Sequence, residues 1–378
     1  MTKIFISAGE ASGDLHAAAI TKAVHKLCPD AQVFGMGGAA LRAAGGEVLF
    51  DIKDYSVMGT VEVIRKLPQL FKLRAAFKTV MEERRPDCFV TVDYPEFNMR
   101  IAKVAKALYI PILSYIPPSA WAWRKGRAKD VAALVDKVAC IYPFAYEVYK
   151  EAGADVEFVG NPLLDIVKTK LSRAEAEQKA GKRSGHELVL LLPGSRLKEI
   201  TNVLPLMLKA AKLLKTQKPT VDFILQKAPT IDAALLENLV RQSGLEVRLL
   251  EGDNYDMMSV ADVALATSGT VTLEAAICGL PAVICYKASA LTVALGRMLI
   301  KTKYIGLPNI LAGREILPEL IQKDLTADKM AAAVLHFLQP EIYTAIRQEL
   351  HRVVAKLGAP GAVERVAALI LKLAGEAK

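Results

Sequence analysis

Short apolar runs alternate along this chain with longer stretches in which apolar positions recur every three or four residues. Continuous apolar runs of that length suit strands buried on both faces, and the longer period suits helices covering them. In the first half Lys3–Ser7, Gln32–Phe34, Cys88–Val92, Ile112–Ile116, Lys137–Ile141 and Val156–Val159 are predicted strands, and Leu15–Leu27 and Phe144–Ala152 are predicted helices. Gly160–Pro162 and the polar run Ser172–Gly185 read as a linker. The alternation then resumes with strands Leu188–Leu192, Val221–Leu225, Val247–Leu250, Val263–Ala266 and Ala282–Tyr286. From about Thr326 the pattern is helical, over Asp328–Leu338, Glu341–Lys356 and Ala362–Leu373. The expected fold class is α/β: two Rossmann-like domains facing an interdomain cleft, residues 1–165 and 166–340. Residues 341–378 are expected as C-terminal helices packing back on the first domain or on a partner subunit.

At 378 residues the chain is long enough for two cores. Hydrophobic residues at 52% and charged residues at 24% exclude an intrinsically disordered class. The net charge of +9 points to nucleic acid, anionic lipid or a phosphorylated substrate. No zinc-finger spacing or aromatic RNA-binding signature accompanies it, so no nucleic-acid partner is expected. The 5 cysteines are scattered through apolar runs, as reduced buried thiols would be. The first strand begins almost at the first residue and no run of some 18 apolar residues occurs, so the reading is of a cytoplasmic protein able to touch a membrane.

The most informative stretch is Val263–Gly279, read as strand, tight loop and helix, with Pro281 and the strand Ala282–Tyr286 beyond. Ser268, Gly269 and Thr270 put hydroxyls and a bare backbone where the helix begins. Such a terminus has unpaired N–H groups and a partial positive charge, and it suits a phosphate. Glu274, one turn further in, can accept from both ribose hydroxyls. Ser268 or Thr270 can instead simply cap the helix, although the residues three further on are Val271 and Leu273 and not the Glu of a capping box. The loop after Leu188–Leu192 carries Gly194, Ser195 and Arg196, and the arginine fork suits two diphosphate oxygens.

In the first half the loop Ala8–Asp14 follows the first strand, with Asp14 or Ser12 able to cap the next helix. It fits neither the dinucleotide fingerprint nor a Walker loop. Asp93 stands at the carboxyl end of a predicted strand, where it can take a proton or equally cap a helix. The segment from Val57 to Arg74 interleaves apolar residues with Arg65, Lys66, Lys72 and Arg74, which fits either a core-facing helix or an interfacial membrane contact. Trp121 and Trp123 lie beside Arg124 and fit either a sugar or lipid headgroup or packing under a proline-stiffened loop. Asn309 and Arg314 supply polar reach near the end of the second half.

Taken in order, several segments resemble the lipid-A-disaccharide synthases. They are Gly-Glu-Ala-Ser-Gly-Asp at 9–14, Val-Met-Gly at 57–59, Asp-Tyr-Pro-Glu-Phe-Asn at 93–98 and Pro-Ser-Ala-Trp-Ala-Trp-Arg at 118–124. Leu-Pro-Gly-Ser-Arg at 192–196, Ser-Gly-Thr at 268–270 and Leu-Pro-Asn-Ile-Leu-Ala-Gly-Arg-Glu at 307–315 complete the set. The resemblance implies a GT-B glycosyltransferase that joins UDP-2,3-diacylglucosamine to 2,3-diacylglucosamine 1-phosphate, giving a β-1,6-linked disaccharide 1-phosphate and UDP. It implies Asp93 as general base on the acceptor hydroxyl, with inversion at the anomeric carbon. Gly194, Ser195, Arg196, Ser268, Gly269 and Thr270 would hold the UDP-sugar, Glu274 the ribose and Asn309 the donor, while Glu10 and Ser12 would serve the acceptor. Neither a metal nor a cofactor is implied, and no strict Asp-x-Asp pair occurs. Acylated substrates imply peripheral contact with the cytoplasmic face of the inner membrane, and the C-terminal elements allow a homodimer.

Two rivals remain at this stage. One is another GT-B enzyme, a lipid-linked N-acetylglucosaminyltransferase or a UDP-sugar epimerase, against which the segments at 9–14 and 118–124 argue. The other is a nucleotide-sugar-binding module without catalysis. A nicotinamide dehydrogenase lacks its glycine fingerprint here.

Overall fold

In the computed structural model, residues 1–55, 60–120, 126–252, 254–288 and 302–376 are described. Val57–Gly59, Trp121, Trp123 and Arg124 lie outside them, as do the side chains of residues 60–68. The chain divides into two units, one of Met1–Pro162 with Leu357–Lys378 and the other of Leu163–Lys356.

The first unit is built on seven parallel strands: β1 (Lys3–Ala8), β2 (Gln32–Gly37), β3 (Glu47–Asp51), β4 (Cys88–Val92), β5 (Ile112–Tyr115), β6 (Lys137–Cys140) and β7 (Val156–Phe158). Their order across the sheet is β3-β2-β1-β4-β5-β6-β7. Between β1 and β4 the winding reverses, and the loops leaving those two strands part to opposite faces of the sheet. An open parallel sheet binds its ligand at that switch point. β3 was not expected. Its middle residues are only half-buried, so the strand lacks the continuous apolar run of a central one.

The first helix, Ala11–Leu27, begins within the loop after β1 and earlier than its apolar period suggests. Neither Ser12 nor Asp14 caps it. Asp14 is buried and turns away to accept from the backbone N–H groups of Gly38, Ala40 and Leu41 at 2.6, 2.9 and 3.1 Å, so its carboxylate caps the short helix Ala39–Ala43. The last helix, Ala362–Glu376, packs on Ala11–Leu27 of its own chain. It is tied in by Arg365, whose Nε donates to the Val159 carbonyl at 2.8 Å, and by the Asn161 N–H on the Leu357 carbonyl at 2.9 Å.

The second unit carries six parallel strands: β8 (Glu187–Leu192), β9 (Val221–Lys227), β10 (Arg248–Glu251), β11 (Val263–Thr267), β12 (Ala282–Tyr286) and β13 (Glu319–Ile321). Their order is β10-β9-β8-β11-β12-β13, which puts the switch point between β8 and β11. Both strands are buried almost throughout, and the helix Leu197–Gln217 covers them with Ile200, Val203, Leu204, Met207, Ala211 and Leu214. That spacing is one stripe of a 3.6-residue helix.

Two expectations fail here. Within the supposed linker Ser172–Gly185, residues Arg173–Ala180 form a helix closed by a Ser172–Glu175 capping box. Its polarity reflects a mostly exposed element that still buries Ala176 and Ala180. The C-terminal helices also do not form one body. Pro340–Ala355 packs in the second unit against the helix Thr270–Ile277, and only the chain from Leu357 joins the first.

Candidate active site

At the first unit's switch point the chain leaves β1 into Glu10 and Ser12, and leaves β4 into Asp93 and Tyr94. Glu10 precedes the first helix and Ser12 lies exposed in its opening turn. Asp93 and Tyr94 both hold φ of 48°, the left-handed region that costs about 1–3 kcal/mol for residues with a side chain. Two features maintain it. A Cβ on Gly9 would meet the Tyr94 ring at 2.1 Å, so only glycine lets that ring lie over the β1 loop. Asn98, fully buried, donates through Nδ2 to the Asp93 carbonyl at 2.7 Å and the Ser7 carbonyl at 3.1 Å, and its Oδ1 accepts from the Ser7 hydroxyl at 2.7 Å.

Surrounding protein raises the Asp93 pKa above the ordinary carboxylate value, and the negative charge of Glu10 raises it further, although one edge stays open to solvent. A carboxylate raised in this way is a stronger base when ionised. β1 and β4 are neighbours in the sheet, which brings Glu10 close enough for its charge to act on Asp93.

In the second unit a cavity of about 560 Å³ opens at the carboxyl edge of the sheet. Gly194, Ser195, Arg196, Ser268, Gly269, Thr270 and Glu274 all line it. The helix Thr270–Ile277 starts from Gly269 with no side-chain cap: the Ser268 hydroxyl donates to the Ile305 carbonyl at 3.3 Å instead. Its first N–H groups are therefore available to an anion. Arg196 is exposed and its Nη1 reaches Glu199 Oε1 at 2.9 Å. The other Glu199 oxygen accepts from the Ser195 and Arg196 N–H groups at 3.0 and 3.2 Å. These are donors a diphosphate would use, so Glu199 is the anion it must displace. Burial holds the Glu274 carboxyl above its ordinary value, and the Tyr255 hydroxyl, which donates to it at 3.4 Å, opposes that in part.

Asn309 is the exception. It is 0% exposed and does not line the cavity. Its Nδ2 donates to the Leu317 carbonyl and Glu319 Oε1 at 2.7 and 2.8 Å, while its Oδ1 accepts from the Ile316 and Leu317 N–H groups, both at 2.9 Å. With every position spent, it has nothing left for a donor sugar, and its work is to fix the segment behind Ser268. Glu319 completes that work by accepting from the Ile305 and Gly306 N–H groups at 2.9 Å each. Arg314 pairs with Glu349 at the surface rather than reaching into the cavity.

Sequence reasoning did not single out Asn98, Glu199 or Gln226. Glu199 stands three residues after Arg196, the spacing of a capping box, which was a usable signal. Gln226 ends an apolar strand with a polar residue, another.

Two parallel sheets of order 3-2-1-4, one in each unit, define the fold class, GT-B. Solved structures agree on the fold. The UDP-GlcNAc 2-epimerase of Neisseria meningitidis bound to UDP-GlcNAc aligns with a TM-score of 0.66 at 13% identity, covering 98% of this chain and 100% of that one. The glycotransferase of kitacinnamycin aligns at 0.64 and 18% identity, covering 98% of each chain. The particular family follows from sequence: the chain belongs to the lipid-A-disaccharide synthetases, whose family pattern matches residues 4–372. It is 43% identical over 372 residues to the lipid-A-disaccharide synthase of Syntrophus aciditrophicus, covering 98% of this chain and 97% of that one. With that of Geobacter metallireducens it shares 42% over 375 residues, covering 99% and 98%. It is accordingly a glycosyltransferase of lipid A biosynthesis that uses a UDP-sugar.

Proposed function

We propose that the second unit's cavity holds the UDP of the donor and that Asp93 in the first unit is the general base. The observation that carries this reading is the convergence of Gly194–Arg196, Ser268–Thr270 and Glu274, from loops far apart in sequence, around one cavity. The diphosphate lies against the uncapped helix N-terminus and the Arg196 guanidinium, and the ribose hydroxyls donate to Glu274. The acceptor's primary hydroxyl attacks the anomeric carbon of UDP-2,3-diacylglucosamine. The bond from that carbon to the diphosphate oxygen breaks, its electron pair leaves with UDP, and Asp93 takes the hydroxyl proton. A new β-1,6 bond to 2,3-diacylglucosamine 1-phosphate results. Developing charge on the leaving diphosphate is met by the uncapped helix N-terminus and, once Glu199 is displaced, by the Ser195 and Arg196 donors. Glu10 and Ser12 orient the acceptor.

The test follows formation of the disaccharide 1-phosphate in detergent micelles by mass spectrometry, beside UDP binding by calorimetry. Asp93→Asn abolishes turnover and leaves UDP affinity unchanged, whereas Arg196→Ala weakens UDP binding. Loss of UDP binding in Asp93→Asn, or unchanged binding in Arg196→Ala, refutes the respective assignment.

We further infer that the protein works at the surface of the inner membrane, on its cytoplasmic face. Both substrates are acylated, and Phe71 is 61% exposed beside the exposed Lys72 and Arg74, an apolar residue among cations that suits an anionic lipid surface. Among the described residues no helix is long and apolar enough to cross a membrane. Flotation with anionic vesicles, lost in Phe71→Ser, is the expected result. Exchange of Ala362–Glu376 between two copies would build a homodimer, which sedimentation of the full chain and of one ending at residue 356 distinguishes.

A further inference from the structure

The donor cavity contains buried polar atoms that the fold leaves unsatisfied. Gln226, 9% exposed on β9, donates through Nε2 to the Gly252 carbonyl beyond β10 at 2.9 Å. That bond fixes which way the amide faces, so its Oε1 is turned the other way. Among the described residues Oε1 is buried without a partner, and the side chain lines the cavity. Among the described residues the Oδ1 of Asn254 and the hydroxyl of Thr267, itself 4% exposed, are likewise buried without a partner, and both residues line the same cavity. A native fold pairs nearly all such atoms, and three left unpaired in residues that line one cavity call for a partner.

Sheet order shows which part of the ligand Gln226 faces. The anion-holding loops follow β8 and β11, which are neighbours, while β9 and β10 lie on the other side of β8. Glu274 is joined to Tyr255, in the segment after β10, by the 3.4 Å hydrogen bond. A nucleoside diphosphate with its phosphates at Ser195 and Ser268 and its ribose at Glu274 therefore extends its base toward β9 and β10, where Gln226 waits. The vacant group there is an acceptor and needs a donor. Uracil offers one on its ring edge, N3–H; cytosine has a bare N3 lone pair in that place, its own donor being the 4-amino group one ring position away.

We propose that Gln226 is the residue that selects the base: its Oε1 accepts from uracil N3–H and so sets uridine above cytidine diphosphate. The proposal rests on the donor-site reading above. Thus Gln226 determines specificity without touching the reacting atoms.

The test measures binding of UDP, CDP and N3-methyl-UDP to the full chain and to Gln226→Leu, which keeps the volume and removes the acceptor. In the unaltered protein CDP and N3-methyl-UDP bind roughly 10- to 100-fold more weakly than UDP, the range for one buried hydrogen bond left unmade. In Gln226→Leu the UDP affinity falls by that factor, and the three ligands come within about threefold of one another. A variant that weakens all three equally overturns the proposal, because a merely structural glutamine would act that way. Equal binding of UDP and CDP by the unaltered protein also overturns it, and needs no variant to fold. Absence of UDP binding in the unaltered protein would instead refute the donor-site reading itself, which keeps the two failures apart.

Discussion

Asn98 offers the sharpest test of how Asp93, the proposed base, is held. Asn98→Ala removes the side chain's four hydrogen bonds, the longest a 3.5 Å contact to the Val92 carbonyl, and takes the buried partner from the Ser7 hydroxyl and from the carbonyls of Ser7 and Asp93. Each such group costs about 1–3 kcal/mol, but a rotating hydroxyl and an entering water recover part of it, so a net loss of about 2–4 kcal/mol is expected. The same change frees two consecutive residues at φ of 48° to relax toward ordinary backbone, since the Asp93 carbonyl loses its clamp. A shift of ~1 Å in a reacting group lowers turnover by roughly 100-fold. Urea unfolding gives the stability, and kcat and KM for each substrate separate positioning from binding. The expected pattern is a large fall in kcat with KM for the UDP-sugar unchanged. Ser7→Ala serves as the control, because it removes only the hydroxyl and leaves the bond to the Asp93 carbonyl; its stability falls by about 1 kcal/mol and kcat stays near its original value. If Asn98→Ala keeps kcat within about twofold while losing the expected stability, the idea that Asn98 positions Asp93 is wrong.

Other outcomes follow from the same geometry. As a base Asp93 must be ionised, so activity is lost as pH falls through its raised pKa; Glu10→Gln removes a negative charge that raises it and should move the acid limb of the pH–rate profile to lower pH, with an unmoved limb refuting the coupling. Gly194 sits at φ of 109° and a Cβ there would meet Glu199 Oε2 at 2.4 Å. Gly194→Ala should therefore distort the Ser195–Arg196 turn and weaken UDP binding about tenfold or more, and calorimetry showing unchanged affinity would count against diphosphate binding at that turn.

The sequence by itself determined the alternation of strand and helix, the two-unit plan and the loops that line the second unit's cavity. Strands such as Leu188–Leu192 and Val263–Ala266 are buried on both faces, so continuous apolar runs announce them, and small-residue loops after them mark where a backbone can approach a ligand. Ordered motifs along the chain also sufficed for the family. Elements whose local composition misleads were not legible in this way. Half-buried β3 shows no apolar run, and the helix Arg173–Ala180 is polar because most of it faces water.

Tertiary structure decided which side chains are spent and which are free. Asp14, read as a cap for its own helix, serves residues 24–27 positions away. Asn98 clamps a residue 91 positions back in sequence, and Asn309 is wholly consumed by its own segment and Glu319. Gln226 is informative only because, among the described residues, its Nε2 is taken and its Oε1 is not. The physical reason is common to all four. A side chain's type fixes how many hydrogen bonds it can make, but only the fold brings up the partners that fill them, and what remains unfilled at a cavity is what a ligand can use.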